Sequence, residues 1–224
     1  MEALIYKFFN WEIMAKSAPY LLDGAWTTIK LTLLAEVLSV VVGLICAMIR
    51  VSRLPVIKAP IVFYVDLFRA TPLLVQIIII FYALPDIGIL LGRYEAAMLA
   101  LTLHNGAYVT EIIRAGIESI HRGQMEAARS LGLTYLQAMR KVILPQAFRR
   151  VLPPLTNSFI DLLKATSLVS VIGFVELLKQ GRQLQNWLAN STPLTGAAIL
   201  YFVMLWPLIR LAGRLEARLG RGRS

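Results

Sequence analysis

Long apolar runs broken by short clusters of arginine and lysine constrain this chain more than anything else in it. Residues 25–49, 61–84, 94–113, 151–178 and 196–215 read as five such runs. Each is long enough to cross the roughly 30 Å hydrocarbon core of a bilayer as a helix. Arg50, Arg53 and Lys58 follow the first run. Arg114, Arg122, Arg129, Arg140, Lys141, Arg149 and Arg150 stand between the third and fourth, and a further arginine cluster covers residues 210–223. Basic loops stay in the cytoplasm, so all three clusters fall on one side, with the N-terminus outside and the C-terminus inside. Residues 85–93 and 179–195 are then external loops.

Only 16% of the residues are charged and 58% are hydrophobic, where a soluble domain carries about a quarter charged. The net charge of +10 would suit a nucleic-acid binder, but it lies in clusters between apolar runs and forms no binding stripe, which excludes that class. The single cysteine, Cys46, excludes a disulfide framework. Residues 1–24 lack the features of a cleavable leader. Their aromatic residues, Tyr6, Phe8, Phe9, Trp11 and Tyr20, predict an extracytoplasmic interfacial segment with a short helix before Pro19. Residues 25–215 form the transmembrane domain, with a cytoplasmic loop over 114–150, and residues 216–224 a cytoplasmic tail.

The longest polar interruption is the stretch 122–154. Met125, Ala128, Leu131 and Leu133 give a short first helix an apolar edge. Gly132 stands where that helix must stop, since glycine takes positive φ without steric cost. Thr134 and Gln137 fit a capping box, and Tyr135, Leu136, Met139, Val142 and Ile143 mark a second amphipathic helix, which Pro145 ends or bends. The residues alone admit two readings, a hairpin on the membrane surface and a loop with one face free to meet a partner.

Glu126-Ala127-Ala128, three residues, Gly132, nine residues and Val142-Ile143-Leu144-Pro145 resembles the EAA loop of ABC-importer permeases. Only Val142 departs from the family pattern, standing for isoleucine. FRATPLLVQ (68–76) resembles the FRGTPLLVQ signature of permeases for polar amino acids, with Ala70 in place of glycine. The stretch 104–128 resembles the same branch at Tyr108, Glu111, Arg114, Gly123 and Gln124, as does LKATSLVSVIGFVEL (163–177). The resemblance covers residues 17–215. It implies an all-α membrane helical bundle of about five spans with the type I ABC importer permease fold, in a bacterial inner membrane. It also implies a second permease subunit, identical or homologous, two ATP-binding subunits that hold the ATP and magnesium, and an extracytoplasmic solute-binding protein. Gly123, Gln124, Glu126, Ala127, Ala128, Gly132, Leu144 and Pro145 would form the ATPase-coupling loop.

Polar groups inside lipid are costly and face a cavity or a partner. Asp66, Arg69, Thr71, Gln76, Asn105, Tyr108, Glu111, Thr166 and Ser167 are therefore candidates for a substrate path. A zwitterionic amino acid needs an acceptor, Glu111 or Asp66, and donors, Arg69, Thr71 or Ser167. The same residues serve equally well to hold helices together: Asp66 and Arg69 lie three apart and can pair on one face, as can Glu111 and Arg114. His104 reads as a hydrogen-bonded span residue. There is no G-x-x-x-x-G-K-[S/T] for ATP, no Cys/His metal spacing and no nucleophile elbow, so the chain reads as non-enzymatic. A secondary transporter would need internal repeats, and a membrane-embedded enzyme a catalytic constellation.

Overall fold

A computed structural model describes residues 6–52 and 55–220. Arg53, Arg221 and Arg223, counted in the basic clusters, lie outside the described residues. Among the described residues the helices that matter here are, in chain order, α1 Trp11–Val51, α2 Pro55–Ala70, α3 Leu73–Tyr82, α4 Arg93–Glu118, α5 Arg122–Ser130, α6 Tyr135–Ala138, α7 Leu144–Ala165, α8 Leu177–Leu188 and α9 Thr192–Gly220.

α1 differs from the expected interfacial helix followed by a span. Asn10 caps it, accepting from Ile13 N at 3.1 Å, and it continues through Pro19 to Val51. The proline costs one backbone bond, and the helix has packed faces on both sides of it, with Ser17 and Leu21 buried. Pro72 does break its span. α2 ends at Ala70, α3 starts at Leu73, and their axes bend by 109°. Past the basic loop, the helical path does not stop at Pro145. A π-helical segment over Met139–Ile143 carries α6 into α7, where Pro145 sits in the first turn. There its missing N–H is no loss. Pro153 and Pro154 then fall inside α7 and do not begin a span. The expected polar loop over 179–195 contains the helix α8. Buried Glu176 caps it, accepting from Leu178 N at 2.8 Å, Lys179 N at 2.7 Å and Tyr201 Oη at 2.8 Å.

Among the described residues, Tyr6–Val51, Tyr135–Ile172 and Thr192–Leu219 are long and apolar enough to cross a membrane, and a fourth crossing arises if the bent pair Pro55–Ala70 and Leu73–Ile87 is one broken span. α4 has the length, 26 residues or about 39 Å, but not the apolarity. Its position explains this. It packs against α1, α2, α3 and α7, so its polar side chains meet protein where a peripheral helix would meet lipid. Ala96, Ala97, Ala100 and Ala107 are fully buried, and small residues let neighbouring backbones close in. At Gly106 a β-carbon would stand 3.0 Å from Tyr64 Oη and 3.2 Å from Val42 Cγ1, so any larger residue would have to push those side chains aside.

Candidate functional site

The basic loop is built as the residues require. α5 ends in a Schellman motif. Gly132 takes φ +84°, its N–H donates to Arg129 O at 3.0 Å, and Leu133 N donates to Ala128 O at 3.2 Å, so two orphan carbonyls are satisfied. The capping box is complete: Gln137 N donates to Thr134 Oγ1 at 3.3 Å and Thr134 N to Gln137 Oε1 at 2.9 Å. One side of the unit is fixed to the bundle. Met139, Ile143, Ala147 and Val151 pack with Ile113, Ile117 and Ile120 of the α4 end and with Ala47 of α1. Ala128 is buried, whereas Gly123 and Leu144 are half-buried and Gln124, Glu126, Ala127, Gly132 and Pro145 are open. The other side is apolar and uncovered. Leu131, expected on the inner edge of α5, is 83% exposed, and Leu136 is 75% exposed, with Tyr135 beside it. Large exposed apolar groups at such a turn mark a surface that meets a protein partner or the membrane.

A second site lies between α4 and α7. His104, Asn105, Tyr108 and Ile112 on one side and Asn157, Ser158 and Asp161 on the other line a cavity of about 400 Å³. Asn105 donates to Glu36 Oε2 at 2.8 Å and accepts from Ser158 Oγ at 2.8 Å, which ties α1, α4 and α7 together behind the wall. Arg69 does not pair with Asp66. Its guanidinium lies 5.6 Å from the centre of the Tyr108 ring and 4.0 Å from Glu111. Asp66 faces outward on α2. Glu111 is the hub of a cationic cluster: Arg50 donates to it at 2.6 Å and Arg114 Nε at 3.1 Å, while Arg114 also binds Glu118. Thr71 forms the elbow of the broken span and Gln76 bonds across it. Thr166 and Ser167 lie in the 3-10 turn after α7, their hydroxyls donating to Leu163 O at 2.6 Å and Lys164 O at 2.8 Å. The structure thus brings Arg69, Tyr108 and Glu111 together, and Asn105 with Tyr108 onto one cavity wall, while Asp66, Thr166 and Ser167 stand apart from it.

Residues 39–221 match the family model described as binding-protein-dependent transport system inner membrane component. The chain belongs to this family. It is 40% identical over 203 residues to the probable glutamine ABC transporter permease protein GlnP of Bacillus subtilis (strain 168), covering 89% of this chain and 93% of that one. It is 38% identical over 214 residues to the L-cystine transport system permease protein TcyB of the same organism, covering 94% and 92%. A crystal structure of an amino acid ABC transporter with histidines matches with a TM-score of 0.86 and 41% identity, over 92% of this chain and 96% of that chain. The chain therefore has the fold of ABC importer permeases.

In this inner membrane component, sequence reasoning missed Glu36 and Ser158 and set His104 aside. Glu36 carried a signal, an acid in the middle of the first apolar run. Ser158 carried none, because its place at the cavity follows from the packing of α7 against α4.

Proposed function

We propose that this permease subunit forms the translocation path of an ATP-driven importer of polar amino acids, and that its exposed turn at Gly132 couples it to ATP-binding subunits holding ATP and magnesium. The observation that carries the coupling is the two-sided build of the loop. Leu131, Tyr135 and Leu136 are exposed while Met139 and Ile143 are locked against Ile117 and Ile120. A push on the exposed turn moves the cytoplasmic end of α4, and α4 carries Asn105 and Tyr108 of the cavity wall. Glu126, open on the same unit, presents the negative group of an otherwise basic loop. Gly123, Gln124, Ala127, Ala128, Leu144 and Pro145 shape the surface around it.

The cavity between α4 and α7 is the path in this reading. Asn105 and Tyr108 touch the solute. Arg69, stacked on Tyr108, orients that ring, Glu111 holds the arginines behind it in place, and Thr71 with Gln76 holds the elbow. Asp66, Thr166 and Ser167 are reached only as the helices move. A second permease subunit completes the path, and an extracytoplasmic solute-binding protein delivers the solute. Glutamine, named for one relative and matching the donor and acceptor mix of the cavity, is the first solute to test. Affinity purification of the tagged chain, expressed with an ATP-binding subunit, is expected to bring that subunit down. Vesicles holding the assembled complex are expected to take up glutamine, arginine or cystine only with ATP inside the lumen that faces the basic loops. ATP-independent uptake would overturn the reading.

The basic loops also fix an orientation. A reporter fused after Ser224 is expected to read cytoplasmic, and one inserted at Gly88, on an exposed turn with open space around it, to read external. The reverse at either position would overturn the orientation.

A further inference from the structure

At the elbow between α2 and α3 the last carbonyls of α2 lack helical partners. Gln76, in the first turns of α3, supplies them. Its Nε2 donates to Phe68 O at 2.9 Å, to Thr71 O at 3.0 Å and to Thr71 Oγ1 at 2.8 Å. A backbone carbonyl only accepts, so the amide has one orientation, nitrogen towards the elbow and Oε1 away from it. That Oε1 lies 3.0 Å from His104 Nδ1. It too only accepts, so Nδ1 carries the proton, and the neutral ring keeps Nε2 bare. The Nδ1 edge is turned to α3, whereas the ring lines the cavity between α4 and α7 beside Asn105, Tyr108 and Ser158. Tyr108 packs on the ring at 5.0 Å between centroids and fixes its plane.

We infer that His104 is a specificity-determining residue of this permease, its Nε2 accepting a hydrogen bond from an N–H donor of the transported amino acid. The backbone of the broken span thereby dictates the polarity of one point on the cavity wall: carbonyls orient Gln76, Gln76 sets the tautomer, and the tautomer makes an acceptor. The inference rests on the reading of this cavity as the path.

Two substitutions separate the two edges of the ring. Asparagine places its amide where Nδ1 stands, so His104→Asn keeps the bond to Gln76 and loses the acceptor. Glutamine places its amide where Nε2 stands, so His104→Gln keeps an acceptor and loses the bond to Gln76. The measurement is equilibrium binding of radiolabelled L-glutamine, L-arginine and L-histidine to the complex of permease and ATP-binding subunits, purified without solute-binding protein. His104→Asn is expected to weaken binding of the preferred amino acid about tenfold or more, the size of one bond to a charged donor, with His104→Gln near the unaltered complex. The reverse order, equal weakening by both, or no effect of either overturns the inference, since a histidine that only braces the elbow gives those results. Asn157→Trp, which fills the cavity from the α7 side, tests the underlying reading and is expected to abolish binding. If it binds normally, or if the unaltered complex binds none of the three, the cavity is not the path and both readings fall. If Asn157→Trp abolishes binding while His104→Asn does not weaken it, only the assignment of His104 falls.

Discussion

Gly132→Val is expected to remove ATP-driven uptake while leaving the protein inserted in the membrane. A β-carbon at this position meets nothing within 4 Å, so crowding is not the cause. The cause is φ +84°, where a β-branched residue is strained by about 1–2 kcal/mol. Valine relieves that strain by swinging towards extended backbone. The two bonds of the Schellman motif then part, and the exposed side chains Leu131 and Leu136 no longer share a surface. Insertion is set elsewhere in the chain, so immunoblotting of membranes should show normal amounts. Gly88 is the control. It has φ +86° and is equally open, yet in the orientation proposed above it lies in an external turn, so Gly88→Val carries similar backbone strain and should transport normally. Normal uptake by Gly132→Val, or equal loss in both variants, would refute a coupling role for this turn.

The other large effect is expected at Glu111, and it is of a different kind. Its carboxylate bonds Arg50 at 2.6 Å, bonds Arg114 through both oxygens and faces Arg69 at 4.0 Å. Arg50 is 14% exposed and Arg114 24%. Removing one partner of a buried pair costs about 3–5 kcal/mol because a charge is left stranded, and with these groups partly open the lower end applies. Glu111→Gln should therefore reduce the amount of protein in the membrane several-fold, with the substrate preference of any residual uptake unchanged. A variant present at full level with a changed preference would show that Glu111 binds solute directly and would reverse this assignment.

The residues differ in how far the sequence alone revealed them. Gly132, Thr134 and Gln137 were legible because the bonds they make are local: a glycine after a helix and a capping box three residues wide leave few alternatives. The partner of Arg69 was not. Asp66 is three residues away and looked adequate, but α2 packs against α4, and that packing sets Arg69 against Tyr108 and Glu111. Pro145 was legible only in part. It reads as an end or a bend, yet the helical path runs on through it into α7. His104 carried no sequence signal for its role, because that role depends on backbone carbonyls of a different helix.

The length of α1 has a mechanical consequence. Forty-one residues make a rod of about 60 Å, twice the hydrocarbon thickness of roughly 30 Å. Its outward apolar side chains run from Trp26 to Met48, with exposed Lys30 near one end, about 33 Å along the axis. A stripe of that length fits the bilayer by leaning to about 25°, within the range of tilts seen for membrane helices, or by thickening the lipid around it. Through Glu36 on this rod the lean is tied to Asn105 in the cavity wall. Hydrophobic mismatch with the surrounding acyl chains therefore bears on the geometry of the wall itself, and the lipid acts as a mechanical load on the cavity.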